Sequence, residues 1–241
     1  IDLRSKQLIG MEALIRWNHP EQGILPPVVF LPIIEHDLLS IELGEWVIHT
    51  ALEQLESWRS TSLEVPISVN ISPMQLQSSD FVSRLKHILK KFPSRNLNNL
   101  EFEILESSAL EDIDLAKEVI NQCKQLGITF SIDDFGTGYS SLSYLKKIPA
   151  EYLKIDQTFV RDMLADADDC TIIKGIIELS KAFNLKVIAE GVETPAHGEV
   201  LTELGCFLAQ GYGIAKPMSA SDMPVWIKRW QDNPVLVDGS K

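Results

Sequence analysis

The sequence predicts an α/β fold, and within that class a barrel of successive strand–helix units. Its 241 residues suit one such barrel, since barrels of this kind usually take about 250 residues. Short runs rich in β-branched residues alternate with longer segments of helical periodicity, which is typical of repeated βα units and a parallel sheet. No low-complexity tract or linker interrupts the alternation. We therefore expect residues 1–241 to form a single domain.

The predicted strands coincide with the β-branched runs. The earliest, residues 8–14, follows a turn at residues 4–6. The later runs are shorter and comprise residues 67–70, 101–104, 129–133, 152–155 and 186–190.

The segments between these runs are predicted to be helices. Ser72, Pro73 and Gln75 indicate a helix start with an N-cap, a first-turn proline and a capping box. The Thr-Pro pair at residues 194–195 repeats the cap-then-proline signal, and Gly205 is the expected end of that helix. The main amphipathic segments are residues 41–58, 115–126 and 171–183.

Composition and charge exclude several classes of protein. The hydrophobic fraction of 45% is ordinary for a globular chain, and no apolar run is long enough to cross a membrane. The net charge of −12 argues against DNA or RNA as a partner. The three cysteines are scattered, which predicts buried thiols in a reducing compartment such as the cytoplasm.

Because the sequence starts at Ile1, we expect a piece of a longer multidomain protein, whose other parts could include an inner-membrane anchor.

Strand after strand is predicted to end in a side chain that can ligate a metal or move a proton. Asp or Asn after a strand can simply cap the next helix, but charged side chains seldom enter buried strands unless they are paired or metal-bound. The carboxyl ends of parallel barrel strands share one face, which hosts catalysis. We therefore expect one site containing Asn70, Glu103, Asp133 with Asp134, Lys154, Glu190 and Gln210.

The predicted ligands are hard oxygen donors, which favour Mg²⁺ or Mn²⁺ over zinc or copper. Glu12, Glu103, Asp133, Asp134 and Glu190 would repel one another in a shared pocket, and two divalent ions would relieve that repulsion. Paired metals are the usual arrangement for phosphodiester hydrolysis. The residues alone thus predict a metal-dependent enzyme acting on an oxyanion. Proton abstraction beside a carbonyl, assisted by Mg²⁺ and Lys154, stays open at this point.

A series of motifs in this order resembles the EAL family of cyclic di-GMP phosphodiesterases. Glu12-Ala13-Leu14, followed by Arg16-Trp17, resembles the family signature. The further motifs run to about Pro217 and comprise Val69-Asn70-Ile71-Ser72, Glu103-Ile104-Leu105-Glu106, the segment from Asp133 to Ser141, Leu153-Lys154-Ile155-Asp156, Glu190-Gly191-Val192-Glu193 and Gln210-Gly211-Tyr212.

The resemblance implies a TIM-like (β/α)₈ barrel with one antiparallel strand, which hydrolyses cyclic di-GMP to linear pGpG with two Mg²⁺ or Mn²⁺ ions. The implied metal ligands are Glu12, Asn70, Glu103, Asp133, Asp134 and Glu190, with Asp133 bridging the two ions. For Glu190 the resemblance implies either a ligand of the second metal or the general base, and the sequence does not separate the two roles. Lys154 would contact the attacking water, and Gln210 would reach the metals through solvent.

The resemblance also implies residues outside the metal centre, a mode of regulation and an alternative function. Arg16 and Leu14 are implied substrate contacts. Glu106 and Glu193 are implied anchors of the loop at residues 135–141, which couples homodimer formation to activity. An upstream sensory or GGDEF-type domain is expected in the full-length protein. The alternative is a domain that binds cyclic di-GMP without cleaving it, although no ligand or base of the family pattern is missing here.

Overall fold

The computed structural model describes residues 1–61, 63–92, 97–136 and 142–239, with the backbone alone at residues 109–111 and 142–144. These residues form two compact units. One comprises Ile1–Ile9, Ser131–Lys146 and Ala150–Lys241, and the other Gly10–Phe130 with Lys147–Pro149. We refer to them below as the Ala150–Lys241 unit and the Gly10–Phe130 unit.

Strands and helices alternate along the described chain. The strands are β1 (Met11–Ala13), β2 (Trp17–His19), β3 (Gly23–Leu25), β4 (Ile67–Ile71), β5 (Leu100–Leu105), β6 (Thr129–Phe135), β7 (Tyr152–Ile155), β8 (Lys186–Ala189) and β9 (Leu208–Ala209). The helices are α1 (Pro27–Ile34), α2 (Leu38–Arg59), α3 (Pro73–Leu76), α4 (Phe81–Leu89), α5 (Glu106–Glu111), α6 (Ile113–Gln125), α7 (Leu142–Lys147), α8 (Gln157–Asp162), α9 (Ala167–Ala182), α10 (Pro195–Leu204) and α11 (Met223–Asp232), with a 3₁₀ turn at Leu97–Asn99. Among the helices in the described ranges, none combines the length and apolar character needed to cross a bilayer.

In the Gly10–Phe130 unit, strands β1, β4 and β5 pair in parallel. Glu12 lies opposite Ser68 across the first pair, and Asn70 lies opposite Glu103 across the second. Strand β4 is buried along its length except at Asn70, as expected of a parallel strand covered on both faces. The register brings polar side chains from neighbouring strands to the same ends.

A small antiparallel hairpin in this unit was not predicted. Strands β2 and β3 pair with Trp17 opposite Leu25 and His19 opposite Gly23, and neither strand lies within a predicted run. Gly23 has a φ of 74° at the turn, a conformation that glycine adopts at little cost. Trp17 packs edge-on against Phe30, with ring centroids 5.9 Å apart. That tertiary contact stabilises strands too short to be recognised by periodicity.

In the Ala150–Lys241 unit, strands β7, β8 and β9 pair in parallel. The chain's first residues run antiparallel to β9: Leu3 N–H donates to Phe207 O at 2.7 Å, and Ala209 N–H donates to Ile1 O at 3.0 Å. The predicted α/β class is confirmed. The antiparallel strand expected from the resemblance corresponds to this bridge beside Asp2 and Leu208.

The helix boundaries test the capping predictions. Ser72 and Gln75 form the predicted capping box at the start of α3, and Gly205 ends α10 in the left-handed region with a φ of 89°. Helix α10 starts at Pro195 as predicted, but Thr194 does not cap it. Its hydroxyl instead hydrogen-bonds to Nδ1 of His197 at 2.7 Å, so the buried imidazole takes the group that would otherwise bind the helix backbone.

Candidate active site

Asp133 and Asp134 lie at an irregularity in β6, where the register with β7 shifts between Ile132 and Phe135. Successive side chains of a regular strand point to opposite faces, so two adjacent aspartates would normally be separated. Here Asp134 has a φ of 53°, and the bulge breaks the alternation. Both carboxylates can therefore reach the same side of the strand. Backbone strain of this kind is often found at functional sites.

Lys154 on β7 is the central cation of this region. Its side chain is only 2% exposed, and its Nζ lies 2.6 Å from Oε1 of Glu190 and 3.2 Å from Oδ1 of Asp133. Burying an unpaired ammonium would be very costly, and the two carboxylates supply the compensating charge. The lysine consequently fixes where Glu190 and Asp133 stand relative to each other.

Glu190 follows directly after β8, and its N–H donates to Ile155 O at 3.2 Å. The next residue, Gly191, has a φ of 71°, and a Cβ there would come within 2.7 Å of Cβ of Gln157. Only glycine fits this turn without strain. The backbone therefore turns sharply just past Glu190, against the start of α8.

Three carboxylates in this region can share a metal ion. One oxygen each from Asp133, Asp134 and Glu190 lies within 4.8 Å of the others. All-oxygen donor sets suit Mg²⁺ or Mn²⁺, and the negative charge of the cluster exceeds what Lys154 alone can balance. The donor chemistry fits the predicted metal centre.

The pKa of Asp134 is raised by its burial among other carboxylates. Burial, together with the charges of Asp133 and Asp156 and a hydrogen bond with Asp156, raises its pKa to about 6, with Lys154 acting in the opposite direction. A carboxyl that holds its proton to such a pH lies next to other anions in a poorly solvated place. A divalent cation would reverse this shift.

Asp156 is a residue of this site that the sequence reasoning missed. It is buried, and its carboxylate accepts hydrogen bonds from the N–H of Thr158 at 2.9 Å and from the Thr158 hydroxyl, which caps helix α8. The same side chain hydrogen-bonds to Asp134. The sequence feature that could have identified Asp156 is its position directly after the strand that contains Lys154.

Gln210 lies directly after β9, beside the Glu190 turn. Its N–H donates to Ala189 O at 2.8 Å, and its carbonyl accepts from Val192 N–H at 3.0 Å. The backbone thus places two predicted catalytic residues, Glu190 and Gln210, on neighbouring strand ends.

The Gly10–Phe130 unit contains a second group of predicted ligands. Asn70 Nδ2 donates to Oε1 of Glu12 at 2.9 Å, and Asn70 is the register partner of the buried Glu103. Glu12 is the middle residue of β1, and Asn70 and Glu103 lie in the carboxyl-terminal halves of β4 and β5. Within this unit, the structure therefore brings Glu12, Asn70 and Glu103 together on three neighbouring strands.

The predicted substrate contacts are accessible, and the predicted loop anchors differ in burial. Leu14 is 40% exposed. Arg16 is exposed, with its guanidinium donating to Ile15 O at 2.8 Å. Glu106 is buried at the start of α5, and Glu193 is partly exposed. Residues 137–141 of the predicted loop lie outside the described residues.

Comparison with known proteins identifies the family of this chain. The family model for the EAL domain matches residues 1–217. This chain belongs to the EAL domain family. The EAL domain is 41% identical over 217 residues to the bifunctional diguanylate cyclase/cyclic di-GMP phosphodiesterase MucR of Pseudomonas aeruginosa, covering 90% of this chain and 32% of that protein. It is 39% identical to the cyclic di-GMP phosphodiesterase PdeR of Escherichia coli, covering 92% and 33%. The chain thus spans about a third of the length of these curated relatives.

Solved structures show the same fold. The PaMucR phosphodiesterase in complex with c-di-GMP superposes with a TM-score of 0.85 at 41% identity, covering 89% of this EAL domain and 87% of that chain. The FimX EAL domain of Pseudomonas aeruginosa, bound to c-di-GMP, gives a TM-score of 0.80 at 26% identity, covering 90% and 87%. The predicted family and its α/β fold are confirmed.

Proposed function

We propose that this EAL domain hydrolyses cyclic di-GMP to linear pGpG with the help of two divalent metal ions, Mg²⁺ or Mn²⁺. The observation that carries the proposal is the cluster in which buried Lys154 holds Glu190 and Asp133 within hydrogen-bonding reach, with Asp134 alongside. Relatives that share the family act on this dinucleotide according to their names, and neighbouring structures contain it.

The proposed metal ligands are all oxygen donors: Glu12, Asn70, Glu103, Asp133, Asp134 and Glu190. Bound divalent ions would acidify a water molecule and neutralise charge that develops on the phosphate. The hydrogen bond from Asn70 helps to fix the orientation of the Glu12 carboxylate. Tethering of this kind helps to preorganise a metal site.

Lys154 and Glu190 divide the proton chemistry in this proposal. The carboxylate of Glu190 accepts a proton from the attacking water, a role that suits a base held in a fixed orientation. The ammonium of Lys154 orients that carboxylate and favours the deprotonated form of the water by its charge. Gln210, on the neighbouring strand end, contributes an amide that can hydrogen-bond to ordered solvent. Arg16 offers a planar donor fork suited to a phosphate, and Leu14 an apolar contact beside it.

The decisive experiment follows conversion of cyclic di-GMP to pGpG by chromatography, with Mg²⁺ or Mn²⁺ and with chelator. We expect metal-dependent turnover that is abolished in Glu12→Ala. Exposed Glu178→Ala, a matched loss of one carboxylate, should retain activity. Binding of the dinucleotide without turnover would instead support the alternative, a sensor domain that only binds it. If the domain neither binds nor cleaves cyclic di-GMP, the result contradicts both the enzyme and the sensor function.

We also propose that the full-length protein works as a homodimer with an upstream sensory or GGDEF-type domain, in the cytoplasm or facing it from the inner membrane. The curated relatives are about three times as long as the region matched, which leaves room for such domains. Activity assays should therefore include a sample dimerised by a fused coiled coil, so that a silent monomer is not taken for an inactive enzyme.

A further inference from the structure

The chain continues past the end of the family match at residue 217 and returns to the loops that carry the candidate catalytic residues. After α11, residues 233–239, which we call the carboxy-terminal strap, run alongside the turns that follow β8 and β9. The Val237 N–H donates to Gly213 O at 2.8 Å, and the Gly239 N–H donates to Glu193 O at 2.8 Å. The strap thus hydrogen-bonds to both turns at once.

The two turns are also bonded to each other. Val192 N–H donates to Gln210 O at 3.0 Å, and Gly213 N–H donates to Val192 O at 2.9 Å. Glu190 lies two residues before Val192, and Gln210 begins the other turn. Hydrogen bonds therefore join the strap to two backbone segments that carry Glu190 and Gln210.

Two residues of the strap, Leu236 and Gly239, are closely packed against the rest of the unit. Gly239 is buried, and a Cβ there would lie 2.4 Å from the carbonyl carbon of Tyr212 and 2.6 Å from the nitrogen of Gly213. Any side chain would force the strap away from the turn. Leu236, only 7% exposed, fills the space over Gly198 of α10, where its Cδ2 lies 3.3 Å from the position of an added Cβ.

The helix before the strap is itself anchored. The indole N–H of Trp230 donates to Lys6 O at 2.7 Å, and Trp230 stacks on Trp226 with ring centroids 5.6 Å apart. The strap therefore follows a helix that Trp230 anchors, and at Gly239 it packs too closely against residues 212 and 213 to admit a side chain.

We propose that the carboxy-terminal strap is a positioning element that holds the Glu190 and Gln210 turns in their catalytic arrangement. This inference rests on the proposed function. Leu236 and Gly239 act as positioning residues, through the backbone of Glu193 and Gly213. Detachment of the strap loosens both turns, so any partner domain or segment that displaces it lowers turnover.

The test compares Gly239→Ala with Gly175→Ala, a helical glycine whose added Cβ has nothing within 4 Å. A second pair compares buried Leu236→Ser with Val235→Ser, a neighbour that is 56% exposed. Hydrogen exchange of the Val192 and Gly213 amides is measured first, without substrate. We expect exchange at both amides to be about tenfold faster in Gly239→Ala and Leu236→Ser than in their controls, because local opening becomes easier.

Kinetics then separate positioning from simple packing. We expect kcat for cyclic di-GMP to fall about tenfold in Gly239→Ala and Leu236→Ser, since small displacements of catalytic groups are costly, while KM stays within about twofold because substrate binding is not the step affected. If the unaltered chain shows no turnover even in the dimerised sample, the proposed function fails, and Mn²⁺ affinity by calorimetry replaces kcat with the same expected tenfold loss. Unchanged exchange overturns the strap proposal, and so does faster exchange with kcat or Mn²⁺ affinity unchanged.

Discussion

The ammonium of Lys154 lies 2.6 Å from the carboxylate of Glu190, and the lysine side chain is almost completely buried. Lys154 lies on β7 and Glu190 directly follows the adjacent parallel strand β8, and the same ammonium also contacts Asp133. A buried cation held between two anions stabilises only the arrangement in which all three charges are present. This relationship makes the local charge balance of the site directly testable.

Removal of the lysine charge should destabilise the metal-free protein. In Lys154→Met we expect a loss of about 3 kcal/mol in the free energy of unfolding, because two carboxylates are left without their counter-charge. Urea denaturation in chelator measures it. The control is Lys181→Met, which breaks the exposed pair with Glu178 at 2.7 Å and should lower the free energy of unfolding far less, because solvent screens exposed ion pairs. Equal losses of unfolding free energy in the two variants would contradict the stabilising role of the buried contacts of Lys154 with Asp133 and Glu190.

The raised pKa of Asp134 predicts how the stability of the metal-free protein depends on pH. Its folded pKa of about 6 exceeds the ordinary value of 3.8, so the folded state binds this proton more tightly than the unfolded chain does. The carboxylate therefore destabilises the fold above pH 6, and this penalty disappears as the pH falls through 6 toward 4.

We accordingly expect Asp134→Asn to be more stable than the unaltered chain at pH 7.5 and nearly equal to it at pH 4.5, by urea denaturation in chelator. Asp232→Asn removes the same charge at the exposed end of α11 and serves as the control. An advantage of Asp134→Asn that stays constant over this pH range would contradict the assignment. The affinity of the unaltered chain for Mn²⁺ should weaken as the pH falls through 6, because protons compete with the ion for the Asp134 carboxylate.

Asp156 combines a structural and an electrostatic role, and two substitutions separate them. Asp156→Ser retains a good N-cap for α8, whereas Asp156→Ala loses it, so we expect Ala to be less stable than Ser by about 1 kcal/mol. Both changes remove the anion and hydrogen bond that raise the pKa of Asp134, so both should lower that pKa below about 6. Carboxyl chemical shifts followed by NMR over pH measure it. An unshifted titration in either variant would show that Asp156 does not act on Asp134.

Gly44 tests the packing that positions the turn after Asn70. An added Cβ would lie 2.0 Å from Oε1 of Gln75, the side chain that completes the Ser72 capping box. Although alanine is normally favoured over glycine inside a helix, we expect Gly44→Ala to lose about 2 kcal/mol by overpacking. Thermal denaturation should show that the double variant Gly44→Ala with Gln75→Ala costs less than the sum of the two single changes. Strict additivity would mean that the two residues do not meet.

Much of the fold was accessible from the sequence because its signals are local. The capping box at Ser72 and the glycine stop at Gly205 depend on residues within one helical turn, and both predictions were correct. The β2–β3 hairpin was missed because its strands are three residues each, too short for periodicity, and because Trp17 packs on Phe30 from a different element. Thr194 was misassigned as a cap because the competing partner, buried His197, is recognised only in the folded chain.

The sequence by itself determined the family, the parallel α/β class and the list of polar residues at strand ends, since these follow from composition, periodicity and ordered motifs. Only the tertiary structure decided how the charges are balanced. The bulge brings the adjacent Asp133 and Asp134 to one side of β6. The placement of Lys154 between Asp133 and Glu190, the contact of Asp156 with Asp134, and the strap over the last two turns join residues from different strands and turns. Coulomb energy and close packing depend on distances in space, which spacing along the chain does not specify.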